Sequence, residues 1–177
     1  MPAMRLLFTM DRKDYDDSMP RFVRPSVRAI IRRGGEIAMV HSLKFDYYKF
    51  PGGGMEPGED QIETLLRETR EETGLQVLPE TVRSYGRVYR AQNSGRGDVL
   101  IQENYYYLCE ASEKVTPRNL DDYELEEAFT LEFVTAQHAV ETNRRAVSGI
   151  LAEDPIYAAM AWREMRVLQM LAEENMV

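Results

Sequence analysis

Three glutamates, Glu68, Glu71 and Glu72, follow Arg67 at offsets that one helical turn would bring together. On a helix, positions i, i+3 and i+4 share one side. Like charges at that spacing oppose each other by about a few tenths of a kcal/mol per pair, so something must offset them. Two readings stand side by side. One is a solvated acidic face. The other is a hard divalent cation, since Mg²⁺ takes oxygen ligands from one or two carboxylates, water and substrate phosphates. Just upstream, Gly52, Gly53 and Gly54 follow Pro51, and Pro57-Gly58 comes soon after. Glycine lets a backbone approach a ligand closely, although the same residues also make ordinary turns.

The element that must carry these groups is a helix running from Asp60 to Gly74. Asp60 with Glu63 three residues on forms a capping-box pattern, and Gly74 stands where a left-handed C-terminal residue is wanted. Ile62, Leu65, Leu66, Thr69 and Thr73 make one buried stripe, and the glutamates are expected on the side away from it. Around this helix the pattern predicts strands over about 4–9, 23–32, 37–42, 75–78, 82–91, 99–110 and 130–134. Gly34-Gly35 marks a hairpin turn, and residues 93–98 form a loop between two long strands. The acidic stretch 119–127 reads as loop with a short helical turn. Helices are expected over 136–147 and about 155–175. The last of these carries an apolar face (Tyr157, Met160, Ala161, Met165, Leu168, Leu171) suited to packing on the domain or to a homodimer contact. Together these predict an α/β chain in one domain over residues 1–177, a mixed sheet covered by helices.

Composition sets further bounds. Twenty-two Lys and Arg against thirty Asp and Glu leave a formal net charge of −8 over 177 residues. That balance argues against sequence-independent nucleic-acid binding, and it points to any polyanionic substrate being held through metal and a local cluster of arginines. Cys109 is the only cysteine, and His41 and His138 are the only histidines. Thiolate and histidine zinc sites are therefore disfavoured, and Cys109 reads as a small buried residue. No apolar run is long enough to span a membrane, and a soluble, cytoplasmic protein is the expectation.

The stretch from Gly53 to Leu75 resembles the signature of the Nudix (MutT-type) hydrolases. That signature is a glycine, five residues, a glutamate, seven residues, Arg-Glu, an aliphatic, any residue, Glu-Glu, any residue, a glycine and an aliphatic. Gly53, Glu59, Arg67, Glu68, Glu71, Glu72, Gly74 and Leu75 fall in place, and Thr69 departs from the aliphatic. The resemblance implies an α/β/α sandwich with a C-terminal helical extension. It also implies hydrolysis of a nucleoside diphosphate linked to another moiety, with Mg²⁺ or Mn²⁺ as cofactor and water attacking phosphorus.

Carried over residue by residue, the resemblance makes Glu68, Glu71 and Glu72 metal ligands, joined by the carbonyl of Gly52 or Gly53. Arg67 orients a carboxylate, and Glu59 fixes the loop-helix geometry or helps carry a metal in some states. The general base is Glu71 or Glu72 within the box, or Glu126, Glu127 or Glu132 outside it. Glu132 with Phe133 resembles a Glu-aromatic step of some members. Tyr47, beside Tyr48, and Arg28 are the candidate substrate-binding residues, with core packing the competing reading for the tyrosines. Marks of the coenzyme A, ADP-ribose and NADH subclasses are absent, and Tyr89 is close to the tyrosine of the dinucleoside polyphosphate type without being clearly in register. Substrate identity stays open. A nucleotide-binding module without catalysis is the alternative, and the complete glutamate set speaks against it. A P-loop is excluded because no Gly-Lys-Ser/Thr step follows the glycines.

Overall fold

The computed structural model describes residues 3–113 and 116–177. Its centre is a split hairpin. Strand β3 (Ser26–Arg33) turns at Gly34, φ 61°, into β4 (Glu36–Ser42). The two strands pair only beside the turn, at Arg32 with Ile37 and Arg33 with Glu36. Beyond that they part, and the next segment fills the gap. Strand β5 (Tyr47–Lys49) pairs antiparallel with β4, and after Pro51 β6 (Gly52–Gly54) pairs antiparallel with β3. The glycine loop thus begins as a strand in the middle of the sheet.

The remaining strands extend the sheet on both sides. The long antiparallel pair β7 (Arg83–Asn93) and β8 (Val99–Cys109) joins through β8, which runs parallel to β3. Strand β1 (Leu6–Asp11) lies parallel to β7, and β2 (Arg21–Val23) parallel to the start of β8. On the far side β9 (Phe129–Val134) pairs antiparallel with β4.

The expected strand over 23–32 is two strands, because Pro25 has no N–H to give the ladder. The expected strand over 75–78 is absent. Only Val77 bridges to Ala111, and Pro79–Thr81 then makes a 3₁₀ turn.

Helix α1 (Gln61–Thr73) covers one face of the sheet. There Leu65 and Leu75 pack with Val27, Ala29, Ile31 and Cys109. A short α2 (Asp122–Glu126) precedes β9. Helices α3 (Ala136–Ser148) and α4 (Pro155–Glu173) cover the other face, where Met165, Leu168 and Leu171 meet Ile30, Met39, Tyr48 and Tyr106. The chain is therefore an α/β/α sandwich, and the apolar face of the last helix is directed at the sheet. Burial pushes the Cys109 thiol up to about 12, which keeps it a neutral packing group. Among the described residues, no helix is long and apolar enough to cross a membrane.

Candidate functional site

Helix α1 forms as its caps dictate. Asp60 accepts from the Glu63 N–H at 2.8 Å, Glu63 accepts from the Asp60 N–H at 2.9 Å, and Gly74 closes the helix at φ 77°. This registers the four charged groups against the glycine loop. Arg67 is their hub. Its Nε and Nη2 donate to the two oxygens of Glu59 at 2.5 and 2.9 Å. Its Nη1 donates to Glu68 at 2.7 Å and to Glu71 at 3.2 Å, and Nη2 also reaches the Gly54 carbonyl at 3.2 Å. The guanidinium beside Glu59 holds that carboxyl down at about 2. Burial pushes Glu68 above its ordinary value, against the pull of Arg67.

The three glutamates do not share one environment. Glu68 and Glu71 are partly exposed, whereas Glu72 is 1% exposed. The expectation that all three stand away from the buried stripe therefore holds for two of them. Glu72 points inward, accepting from the Gly52 N–H at 3.1 Å and from Lys49 Nζ at 2.6 Å. Thr69 is fully buried in the stripe as expected, with its hydroxyl lacking a partner. Gly53 is required by space. A Cβ there would lie 2.5 Å from the Glu68 carboxyl carbon.

A fourth carboxyl, which sequence reasoning missed, joins this group. Glu124 sits in α2 and is buried close enough to Glu72 to feel its charge. Burial first, then the Glu72 charge, raise it to about 7. It also accepts from the Asp121 N–H at 2.8 Å. The capping pattern Asp121-x-x-Glu124 is the available signal, embedded in the acidic run 119–127.

The other candidates fall elsewhere. Glu126 is exposed and paired with Lys44 at 2.8 Å. Glu127 is buried and accepts hydroxyl hydrogens from Ser42, Tyr47 and Tyr157 at 3.0, 3.0 and 2.8 Å. Glu132 is bonded to His41 Nδ1 and to the Tyr48 hydroxyl, whose ring packs in the core on the α3–α4 side of the sheet. Its neighbours in β9, Leu131 and Phe133, face α1, so strand alternation turns Glu132 away from the box glutamates. Tyr47 backs a cavity wall but is 1% exposed, and its hydroxyl is committed to Glu127. Its surroundings are those of a core residue. Arg28 does line the cavity, with Nη1 donating to the Gly52 carbonyl at 3.0 Å.

That cavity, about 410 Å³, opens beside Gly52–Gly54. Arg24, Arg28, Arg90, Arg96 and Arg163 line it together with Lys49 and the rings of Tyr123, Phe129 and Tyr157. An acidic chain thus concentrates its cations at one concave surface, which suits an anionic ligand.

Among the described residues, no three His, Cys, Asp or Glu side chains form a ready-made metal cage. Arg67 bonds Glu68 and Glu71, and Lys49 bonds Glu72. The donors nonetheless fit a divalent ion of the Mg²⁺ type. They are all hard carboxylate or carbonyl oxygens, and the missing Cβ of Gly53 lets the Glu68 carboxylate lie against the loop.

Residues 23–151 match the family described as NUDIX domain. The match spans most of the chain, which belongs to that family. Two solved structures share the fold. A NUDIX hydrolase from Nitrosomonas europaea superposes with a TM-score of 0.54 at 18% identity, covering 70% of this chain and 79% of that one. A MutT NUDIX hydrolase from Burkholderia pseudomallei gives 0.51 at 18% identity, covering 66% and 85%.

Among curated proteins, the RNA pyrophosphohydrolase of Xanthomonas oryzae pv. oryzae (strain MAFF 311018) is 40% identical over 68 residues, 38% of this chain and 32% of that protein. The RNA pyrophosphohydrolase of Xylella fastidiosa (strain Temecula1 / ATCC 700964) is 41% identical over 68 residues, 38% and 35%. The matched stretch is about a third of the length of these relatives.

Proposed function

We propose that the protein is a pyrophosphohydrolase that cleaves a nucleoside diphosphate linked to another moiety, using Mg²⁺ or Mn²⁺. The observation that carries this reading is the gathering of Glu68, Glu71, Glu72 and Glu124 around the glycine loop, at the edge of an arginine-lined cavity. A diphosphate repels an electron-rich nucleophile, so the site must neutralise charge and position water.

Glu68, Glu71 and Glu72 are the residues that would hold the ion, together with the Gly53 carbonyl. We assign Gly53 because the neighbouring Gly52 carbonyl already accepts from Arg28. When bound, the ion supplies charge neutralisation and a water of lowered pKa. Arg67 clamps Glu59, Glu68 and Glu71 so that their oxygens keep one arrangement. As water attacks, an oxygen–phosphorus bond forms and the bridging P–O bond breaks, its electron pair leaving with the departing phosphoryl oxygen. The water's proton passes to a carboxylate, and Glu124, brought against Glu72 by α2, is the group we assign to receive it. Glu132, held by His41 and Tyr48 on the far face, has no part in this scheme.

The test is phosphate and pyrophosphate release from nucleoside triphosphates, oxidised nucleotides, ADP-ribose, nucleotide sugars, dinucleoside polyphosphates and 5′-triphosphorylated RNA. The RNA arm follows from the names of the curated relatives. Release that needs Mg²⁺ or Mn²⁺ and stops with chelator is expected for at least one class. Tight nucleotide binding without turnover on any of them would overturn the reading in favour of a binding module.

A further inference from the structure

The cavity continues past the hydrolytic site to cations which that chemistry leaves unused. Its floor crosses the sheet from Gly52–Gly54 on β6, over Arg28 on β3 and Gln102 on β8, to Arg90 on β7. Three strand spacings separate β6 from β7, about 14 Å at the usual interstrand distance. A diphosphate seated at the glycine loop is far shorter than this span. The Arg90 guanidinium lies between β8 and the start of α4. It donates to Gln92 Oε1 at 2.8 Å, Gln102 Oε1 at 3.1 Å and the Ile156 carbonyl, at the start of α4, at 2.9 Å.

All three of those acceptors are neutral. Arg90 is 3% exposed, and no carboxylate among the described residues lies within ion-pair distance of it. Burial, then the nearby Arg163, pull its pKa down to about 9. Arg28, 7% exposed, likewise bonds only carbonyls through Nη1, and its Nε has no partner. Arg163 is matched by Glu164 at 2.6 Å. Arg28 faces the charges of Glu68 and Glu164, which leaves Arg90 as the buried guanidinium group at this cavity without a counter-charge. An uncompensated buried charge is costly, and a bound anion is the natural offset. Arg also has the fork geometry that phosphate oxygens match.

We propose that Arg90 forms a second anion subsite that receives a phosphate one nucleoside away from the scissile diphosphate, with Arg28 on β3 lying between the two. The inference rests on the diphosphate-hydrolase reading and narrows its substrate class. The preferred substrates are nucleotides that carry a 5′-polyphosphate and a further phosphate on the ribose, as a monoester or as the diester to a following nucleotide. Leu100, Ile156 and Met160 line the same cavity and suit the body of the nucleoside.

The experiment compares three compounds on the wild-type chain: a nucleoside 5′-triphosphate, the same compound with a ribose 3′-phosphate, and a dinucleotide 5′-triphosphate. Turnover gives KM, and calorimetry gives Kd in the presence of Ca²⁺. We expect the added phosphate to tighten binding on the order of tenfold to a hundredfold, the range of a charge-assisted contact. A gain with the monoester, the diester or both supports the subsite and tells the two sources apart. Arg90→Gln should bring the KM values of plain and phosphorylated compounds together, whereas Arg90→Lys should keep part of the gap.

The proposal is overturned if neither added phosphate improves binding to the wild type, or if Arg90→Gln weakens all three compounds alike. Absence of turnover on every compound would overturn the hydrolase reading instead, and the calorimetric comparison would still decide the subsite.

Discussion

Arg67 grips Glu59 with two parallel hydrogen bonds, Nε to Oε1 at 2.5 Å and Nη2 to Oε2 at 2.9 Å, tying the end of the glycine loop to the middle of α1. The same guanidinium reaches Glu68 and Glu71, so one planar group sets the positions of three carboxylates. Lysine keeps the charge and loses the fork. Arg67→Lys should lower turnover or Mg²⁺ affinity by about tenfold to a hundredfold, the usual cost of disturbing groups that orient metal ligands. Metal titration of kcat checks this, and a variant indistinguishable from wild type would remove Arg67 from the scheme.

Glu71 and Glu72 should part company when each is neutralised. Both Glu71→Gln and Glu72→Gln are expected to abolish turnover. Glu71 is partly exposed, so its variant should melt near the wild-type temperature. Glu72 is the buried partner of Lys49 at 2.6 Å, and removing its charge strands a buried ammonium group. Breaking a buried pair typically costs about 3–5 kcal/mol, so Glu72→Gln should melt markedly lower. Thermal unfolding of the two variants side by side decides it.

Two adjacent glycines should fail for different reasons. A Cβ at Gly52 would meet the Val27 carbonyl oxygen at 1.9 Å, and Gly52 has φ 141°. Gly52→Ala should therefore damage folding itself. At Gly53 the obstacle is the Glu68 carboxylate, the end of a movable side chain. Gly53→Ala should fold, with turnover reduced because Glu68 is displaced. Circular dichroism and activity measured together separate the two, and an active Gly53→Ala protein would count against the close approach.

Acid should find the Arg163–Glu164 pair. Burial works to raise Glu164, but Arg163, then Arg28 and the Phe50 N–H, outweigh it and leave its pKa below the ordinary 4.5. A depressed carboxyl contributes stability that is present above its unfolded pKa and is lost as pH falls through the folded value. Wild-type stability should therefore decline below about pH 4.5. Glu164→Gln should be less stable at neutral pH, with Arg163 left unpaired, and its decline in acid should be shallower. Urea unfolding from pH 3 to 7 provides the comparison. Parallel pH profiles for the two proteins would show that Glu164 contributes no acid-dependent stability.

Much of this molecule was legible along the chain because it depends on local geometry. The caps of α1, the hairpin turn at Gly34 and the clustering of Arg67 with Glu68 and Glu71 follow from residue spacing within a few turns of backbone. The α/β/α class followed from the order of elements and from the Nudix resemblance. The single strand expected over 23–32 was not among these: it is broken at Pro25, whose missing N–H cannot complete a ladder.

What remained hidden depends on contacts between segments far apart in sequence. Glu72 could be read as solvated until β5 brought Lys49 to it from 23 residues away. Glu124, 52 residues beyond Glu72 in the sequence, became part of the site only through the packing of α2. Glu132 left it because β9 pairs with β4 in a register that turns its odd-numbered neighbours toward α1. A strand's faces exchange with a single step of register, and no feature of the local sequence around Glu132 specifies that step. Arg28 and Arg90 likewise lie on separate strands, β3 and β7, and β8 brings them to one cavity wall by pairing with both. The sequence by itself determined the chemistry available on α1. Only the tertiary structure decided which distant charges would meet it, because their burial and pairing are properties of the assembled sheet.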